Sequence, residues 1–179
     1  MSTASRRAIL ALLFCAALLP GVARAQDWDV TGLVGAGIPV GDLGDLYDPG
    51  FSATLSATRW FGPRFGLRIG GAGNFLAGAN SLIADTSFWH YNIGPEIDLI
   101  DPAKKIGLHL HAGVGATTAQ ADGGSSSTDF TGNLGLTLEY NVSPSWSIIG
   151  GPSFYIIAAD ETGYILPVSA GFRYFFGKH

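Results

Sequence analysis

The sequence predicts an all-β chain: an eight-stranded antiparallel up-and-down transmembrane β-barrel, preceded by a cleaved signal peptide. Three observations predict it. The chain opens on a short apolar stretch of the export type. It is apolar on average, with 47% hydrophobic and 13% charged residues and 26 glycines, yet beyond that opening stretch it holds no long continuous apolar run. The hydrophobicity there falls on alternate residues, the period of a strand with two unlike faces.

The export signal is read in residues 1–25. Arg6 and Arg7 precede the apolar stretch Ala8 to Leu19, and Pro20, Gly21 and the small-residue pattern Ala23, Arg24, Ala25 come after it. The apolar stretch is too short to cross a bilayer, which takes roughly 20 helical residues. Cys15 follows Phe14 in the middle of that stretch, not the small residue expected before a lipidated cysteine. Residues 26–179 then form a single domain. They hold no cysteine, which excludes a disulfide framework, a cysteine zinc cluster and a thiol nucleophile. Seven basic residues face fourteen acidic ones once the signal's three arginines are removed, a balance that disfavours nucleic acid.

Eight segments alternate, beginning with Trp28 to Ile38 and Phe51 to Trp60. In Arg64 to Phe75, the residues Phe65, Leu67 and Ile69 oppose Gly66, Arg68 and Gly70. In Thr86 to Leu99, Trp89, Tyr91, Ile93, Pro95 and Ile97 oppose His90, Asn92, Gly94, Glu96 and Asp98. Lys105 to Thr118 and Asp129 to Val142 set Leu108, Leu110 and Val114, then Leu134, Leu136 and Leu138, against His109, His111 and Gly113, then Asn133, Thr137 and Glu139. Trp146 to Ala158 is apolar on both faces, through Ile148, Ile149, Ile156 and Ile157, and Pro152 interrupts it, so its register stays open. Ile165 to Phe176 is the last. An even number of strands closes an up-and-down barrel.

The connections alternate in length. Tight turns at Phe61 to Pro63, Asp101 to Lys104 and Ser143 to Ser145 each hold a proline. Longer loops run from Pro39 to Gly50, Leu76 to Asp85, Ala119 to Thr128, with the Gly and Ser run of a loop tip, and Ala159 to Tyr164. Long loops are expected outside, with turns and termini in the periplasm. Aromatics at strand ends read as two interfacial girdles, with Trp28, Trp60, Phe65, Tyr140, Trp146, Tyr174 and Phe176 at the turn end and Phe51, Phe75, Phe88, Trp89, Phe130 and Phe154 at the loop end. The loops carry acids and no base, whereas Arg59, Arg64, Lys104, Lys105 and Lys178 gather at the turn end.

Two stretches resemble a known family. One runs Gly35, Ala36, Gly37, Ile38, Pro39, Val40, Gly41, Asp42, Leu43 and on to Pro49, Gly50, Phe51; the other is the last strand, with Val168, Ala170, Phe172, Tyr174 and Phe176 alternating, before a short end of Gly177, Lys178 and His179. Together they resemble the outer membrane β-barrel domain family, small barrels of the OmpA and OmpX type, over nearly all of residues 26–179. The resemblance implies a minimal monomeric barrel of a bacterial outer membrane, surrounded by membrane lipid and lipopolysaccharide, without a cofactor or a following peptidoglycan-binding domain. It also implies that Phe172, Tyr174 and Phe176 form an assembly signal read by the barrel-insertion machinery. Membership alone assigns no activity.

The alternation places Arg68, Glu96, Asp98, His109, Glu139 and Arg173 in the lower lumen, with Asp29 at its base. Buried charges need partners, and an eight-stranded barrel is just wide enough for side chains to fill, so a structural ion-pair network is expected in place of a narrow pore. His90, His109 and His111 face inward, but the first sits high and the second low, which argues against one metal site. The string Phe88, Trp89, His90, Tyr91, Asn92 lacks the serine that a lipid hydrolase would need, so no catalytic residue is assigned. Asp42, Asp45 and Asp48 could contact a cation, although their spacing of three departs from a calcium loop. The glycine clusters at Gly35 to Gly37 and Gly70 to Gly73 precede no helix and read as strand kinks. A soluble lipocalin-like barrel is the rival fold, and it would invert the two faces. The function expected is non-enzymatic, in envelope integrity or surface interaction through the loops.

Overall fold

A computed structural model describes residues 28–100, 104–124, 126–159 and 161–176. The signal read in residues 1–25, part of the turn Asp101 to Lys104, and Lys178 lie outside the described residues. Eight strands succeed one another: β1 (Trp28–Val40), β2 (Tyr47–Trp60), β3 (Phe65–Gly78), β4 (Thr86–Asp98), β5 (Ile106–Ala121), β6 (Ser126–Asn141), β7 (Trp146–Ala158) and β8 (Gly163–Phe176), with one short helix, α1 (Asp42–Leu46), after β1. Each strand pairs antiparallel with its neighbour, and β8 pairs with β1, closing the barrel. No helix among the described residues is long and apolar enough to cross a membrane, a fact that bears on helices alone.

The pairing fixes the geometry. Moving from paired residue to paired residue, Val30, Ala57, Ile69, Ile93, Val114, Gly132, Ile156 and Tyr164 lead once around the wall to Val40, ten positions above the start. Eight strands with that stagger tilt by roughly 40° from the barrel axis. Phe65 and Phe75 stand ten positions apart on β3. At about 3.3 Å per residue and that tilt, they are separated by roughly 25 Å along the axis, the height of a lipid-facing apolar band. Trp28, Tyr140, Trp146 and Phe176 are exposed near the level of Phe65, and Phe51, Trp89 and Phe130 near that of Phe75; Val34, Leu55, Ile69, Val114 and Leu134 are exposed between them. The exposed belt is apolar and most buried inner-facing side chains are polar or charged, the reverse of a soluble carrier.

Two aromatics assigned to the girdles face inward instead. Trp60 and Phe88 are buried, because their strand parity places them on the lumen side. Aromatic character at a strand end decides nothing about its face; parity does. β7 keeps one register against both neighbours on either side of Pro152. Pro152 is exposed on the wall, with Ser147, Ile149, Tyr155 and Ile157 buried inside. The loops are shorter than expected, since β1, β5 and β6 run on past the band and α1 fills most of the first connection. A bulge between Asp48 and Phe51 shifts β2 against β3 there.

Candidate functional site

Inner-facing side chains stack in three tiers. At the turn end, the Arg173 guanidinium on β8, 1% exposed, gathers the acids around it: its Nη2 pairs with Glu96, its Nη1 lies 3.1 Å from Glu139 Oε2, and its Nε lies 3.0 Å from Thr31 Oγ1 and 3.5 Å from Asp29 Oδ1. Trp60 closes the base, donating its indole N–H to Asp29 Oδ2 at 2.6 Å. His109 stands between Asp98, bound through Nδ1, and Glu139, whose Oε2 lies 2.6 Å from Nε2. Thr58 donates to the second Glu96 oxygen at 2.9 Å. The structure brings together five of the residues expected from sequence, Glu96, Asp98, His109, Glu139 and Arg173. Arg68 is buried in the same tier but forms no ion pair within 4.0 Å among the described residues.

The middle tier holds no Asp, Glu, Lys or Arg. Its inner positions are largely glycine, including Gly70, Gly94, Gly113, Gly135 and Gly151. A Cβ at Gly94 would collide with the carbonyl of Ala112, and one at Gly135 with the His111 ring, so these strands approach each other and their contents more closely than any other residue allows. Higher up, His90 bonds Thr117 through Nδ1 at 2.6 Å, Thr117 bonds Thr131, and the His90 ring stacks on Tyr155 with centroids 4.2 Å apart.

The loop end is apolar. Leu76, Phe88, Ile157 and Ile165 form a buried cluster inside the barrel, against which Leu43 of α1, Tyr47 and Ala119 pack. Alternation alone does not reveal this plug, because its four members lie on four strands and each sits beside an apolar residue of the opposite face, Phe75, Trp89, Ile156 and Leu166. Above it lies a cleft of about 320 Å³, lined among others by Leu43, Tyr47, Phe88, Ile157, Asp129 and Glu161.

The chemistry open to these groups is limited. Ser153 Oγ lies 3.3 Å from His111 Nε2, but His111 Nδ1 has no hydrogen-bond partner among the described residues, so no acid orients that ring, and the pair is enclosed within the lumen. His90 and His109 lie in different tiers, Asp42 and Asp45 in the first turn of α1, and Asp48 in β2. Among the described residues no group of three or more His, Cys, Asp or Glu is gathered as a metal ion would need. Phe172 and Phe176 are exposed on the outer face of β8, with Tyr174 part-exposed between them; Tyr174 rests against Trp146 and Phe176.

No protein-family model matches the sequence, and no curated protein matches it. Solved structures do. Neisserial surface protein A is 20% identical with a TM-score of 0.71, covering 83% of this chain and 97% of that one. Ail, the attachment invasion locus protein of Yersinia pestis, is 18% identical with a TM-score of 0.51, covering 83% of this chain and 99% of its own. The outer membrane protein OprG from Pseudomonas aeruginosa is 16% identical with a TM-score of 0.53, covering 86% and 97%. At such identities the likeness is one of fold.

Proposed function

From the fold of a small outer-membrane β-barrel, which this chain has, we propose that it is a non-enzymatic integral protein of a bacterial outer membrane, working in envelope integrity or surface interaction through its loop end. One observation carries the reading: the lumen is filled twice over, by the Arg173 ion network at one end and by the Leu76, Phe88, Ile157, Ile165 plug at the other. A filled lumen leaves the lipid-facing wall and the loop end as the surfaces that can meet other molecules. The loops face outward and the termini face the periplasm, a polarity supported by the tight turns at one end and by acidic loops without a base at the other. Lipid and lipopolysaccharide cover the wall, the insertion machinery reads Phe172, Tyr174 and Phe176, and the barrel works as a monomer. Two of the barrels that share the fold are named for a surface and for attachment, which agrees with the reading.

The test is heat-modifiable migration of the unboiled protein together with fractionation. Faster migration before boiling and recovery with outer membranes are expected. Recovery in the soluble periplasmic fraction alone overturns the proposal.

A further inference from the structure

We infer that the cleft above the apolar plug is a binding site for a small organic cation, an ammonium group carried on a flat apolar body. The inference rests on the reading that the loop end is the working face. The cleft is concave and about 320 Å³, near the lower end of the range for small-molecule pockets. Its floor is Phe88 and Ile157, and Tyr47 stands edge-on to Phe88 with centroids 5.7 Å apart, which shapes an apolar slot.

Asp129 supplies the charge. It sits at an inner-facing position of β6, opposite Thr117 and two residues above the buried Thr131, so its part-exposed carboxylate lines the cleft together with Phe88 and Ile157. Its partner is the Ser127 hydroxyl, 3.3 Å away, and it forms no ion pair among the described residues. Glu161 stands on the same cleft. Every described Lys and Arg lies toward the turn end, while Asp42, Asp45, Asp85 and Asp122 lie in the loop-end connections. An anion is repelled by that field, and a neutral apolar ligand would leave the Asp129 charge matched by the Ser127 hydroxyl alone. An ammonium repairs both deficits: it supplies up to three donors to a carboxylate whose surroundings are partly apolar, where a charge-assisted bond is strengthened, and the Tyr47 and Phe88 rings accept the cation's apolar body.

The probe is 2-phenylethylammonium, titrated by calorimetry into the folded barrel in phosphatidylcholine nanodiscs, with 2-phenylethanol as the neutral control. Saturable binding is expected, weaker by about tenfold or more for the alcohol and for Asp129→Asn, as loss of one charged hydrogen bond predicts. Ala121→Trp, which fills the cleft from the end of β5, abolishes it. Each variant is first shown to keep heat-modifiable migration. Non-saturable uptake by folded wild type, or equal affinity in both folded variants, overturns the site while leaving the membrane-barrel reading intact. A wild type without heat-modifiable migration overturns both.

Discussion

Arg173 and Glu96 pair across the barrel from strands β8 and β4, which share no ladder, and both are almost fully buried. The pair spans the lumen, so it holds opposite walls at a fixed separation, as neighbouring-strand hydrogen bonds cannot. Replacing one partner leaves the rest of the network charged and unmatched.

Arg173→Met therefore strands Asp29, Glu96 and Glu139 without their shared cation. The expected loss is about 3–5 kcal/mol of unfolding free energy. Urea titration of the refolded barrel, followed by heat-modifiable migration, measures it, and a loss under about 1 kcal/mol would show that the network is not structural.

Trp60→Phe keeps the ring inside the base of the barrel but removes the indole donor from Asp29. The cost expected is about 1.5–3 kcal/mol, the worth of a hydrogen bond to a charged group. Trp60→Leu costs more, through the volume lost, and the same urea titration separates the two.

The eight strands, their turns and most of the turn-end network are legible in the sequence, because alternation assigns a face to every residue once one residue is assigned. Legibility fails where a local cue outvotes parity. Trp60 and Phe88 are aromatics at strand ends, yet their odd or even position turns them inward. β7 carries isoleucine on both faces, so only pairing with its neighbours fixes its register. The plug is a property of four strands at one height, and height depends on the ten-residue stagger, which no single segment encodes.

Side chains fill both ends of the lumen, the Arg173 network at one and the Leu76, Phe88, Ile157 and Ile165 cluster at the other, so planar-bilayer recordings of wild type are expected to show no channel events. Phe88→Ala opens the apolar plug alone and remains silent, because the ionic tier still fills the other end. Unitary conductance from Phe88→Ala would show that the turn-end network is permeable.

A charge on the wall tests which face meets lipid. Leu55 is 64% exposed and lies near mid-height on β2, so Leu55→Arg is expected to destabilise the folded barrel in bilayers by about 2–4 kcal/mol. A soluble carrier would accept that surface change within about 0.5 kcal/mol.

Polarity is readable with single cysteines, since Cys15 lies in the segment expected to be removed. Gly124→Cys, in the turn between β5 and β6, is expected to react with a membrane-impermeant maleimide on intact cells, and Ser145→Cys only after permeabilisation. The reverse pattern inverts the proposed orientation.

The seam between β1 and β8 joins the first and last strands of the barrel along thirteen residue pairs, Trp28 with Phe176 through Val40 with Tyr164. Arg173 is carried by the last of those strands, whereas Asp29, Glu96 and Glu139 stand on β1, β4 and β6. The pairing of β8 with β1 therefore does two things at once: it covers the edge of β1 and it sets one cation among three carboxylates held by other strands. The closing strand is thus also the latch, and a chain truncated before Arg173 lacks the means both to close and to neutralise those carboxylates.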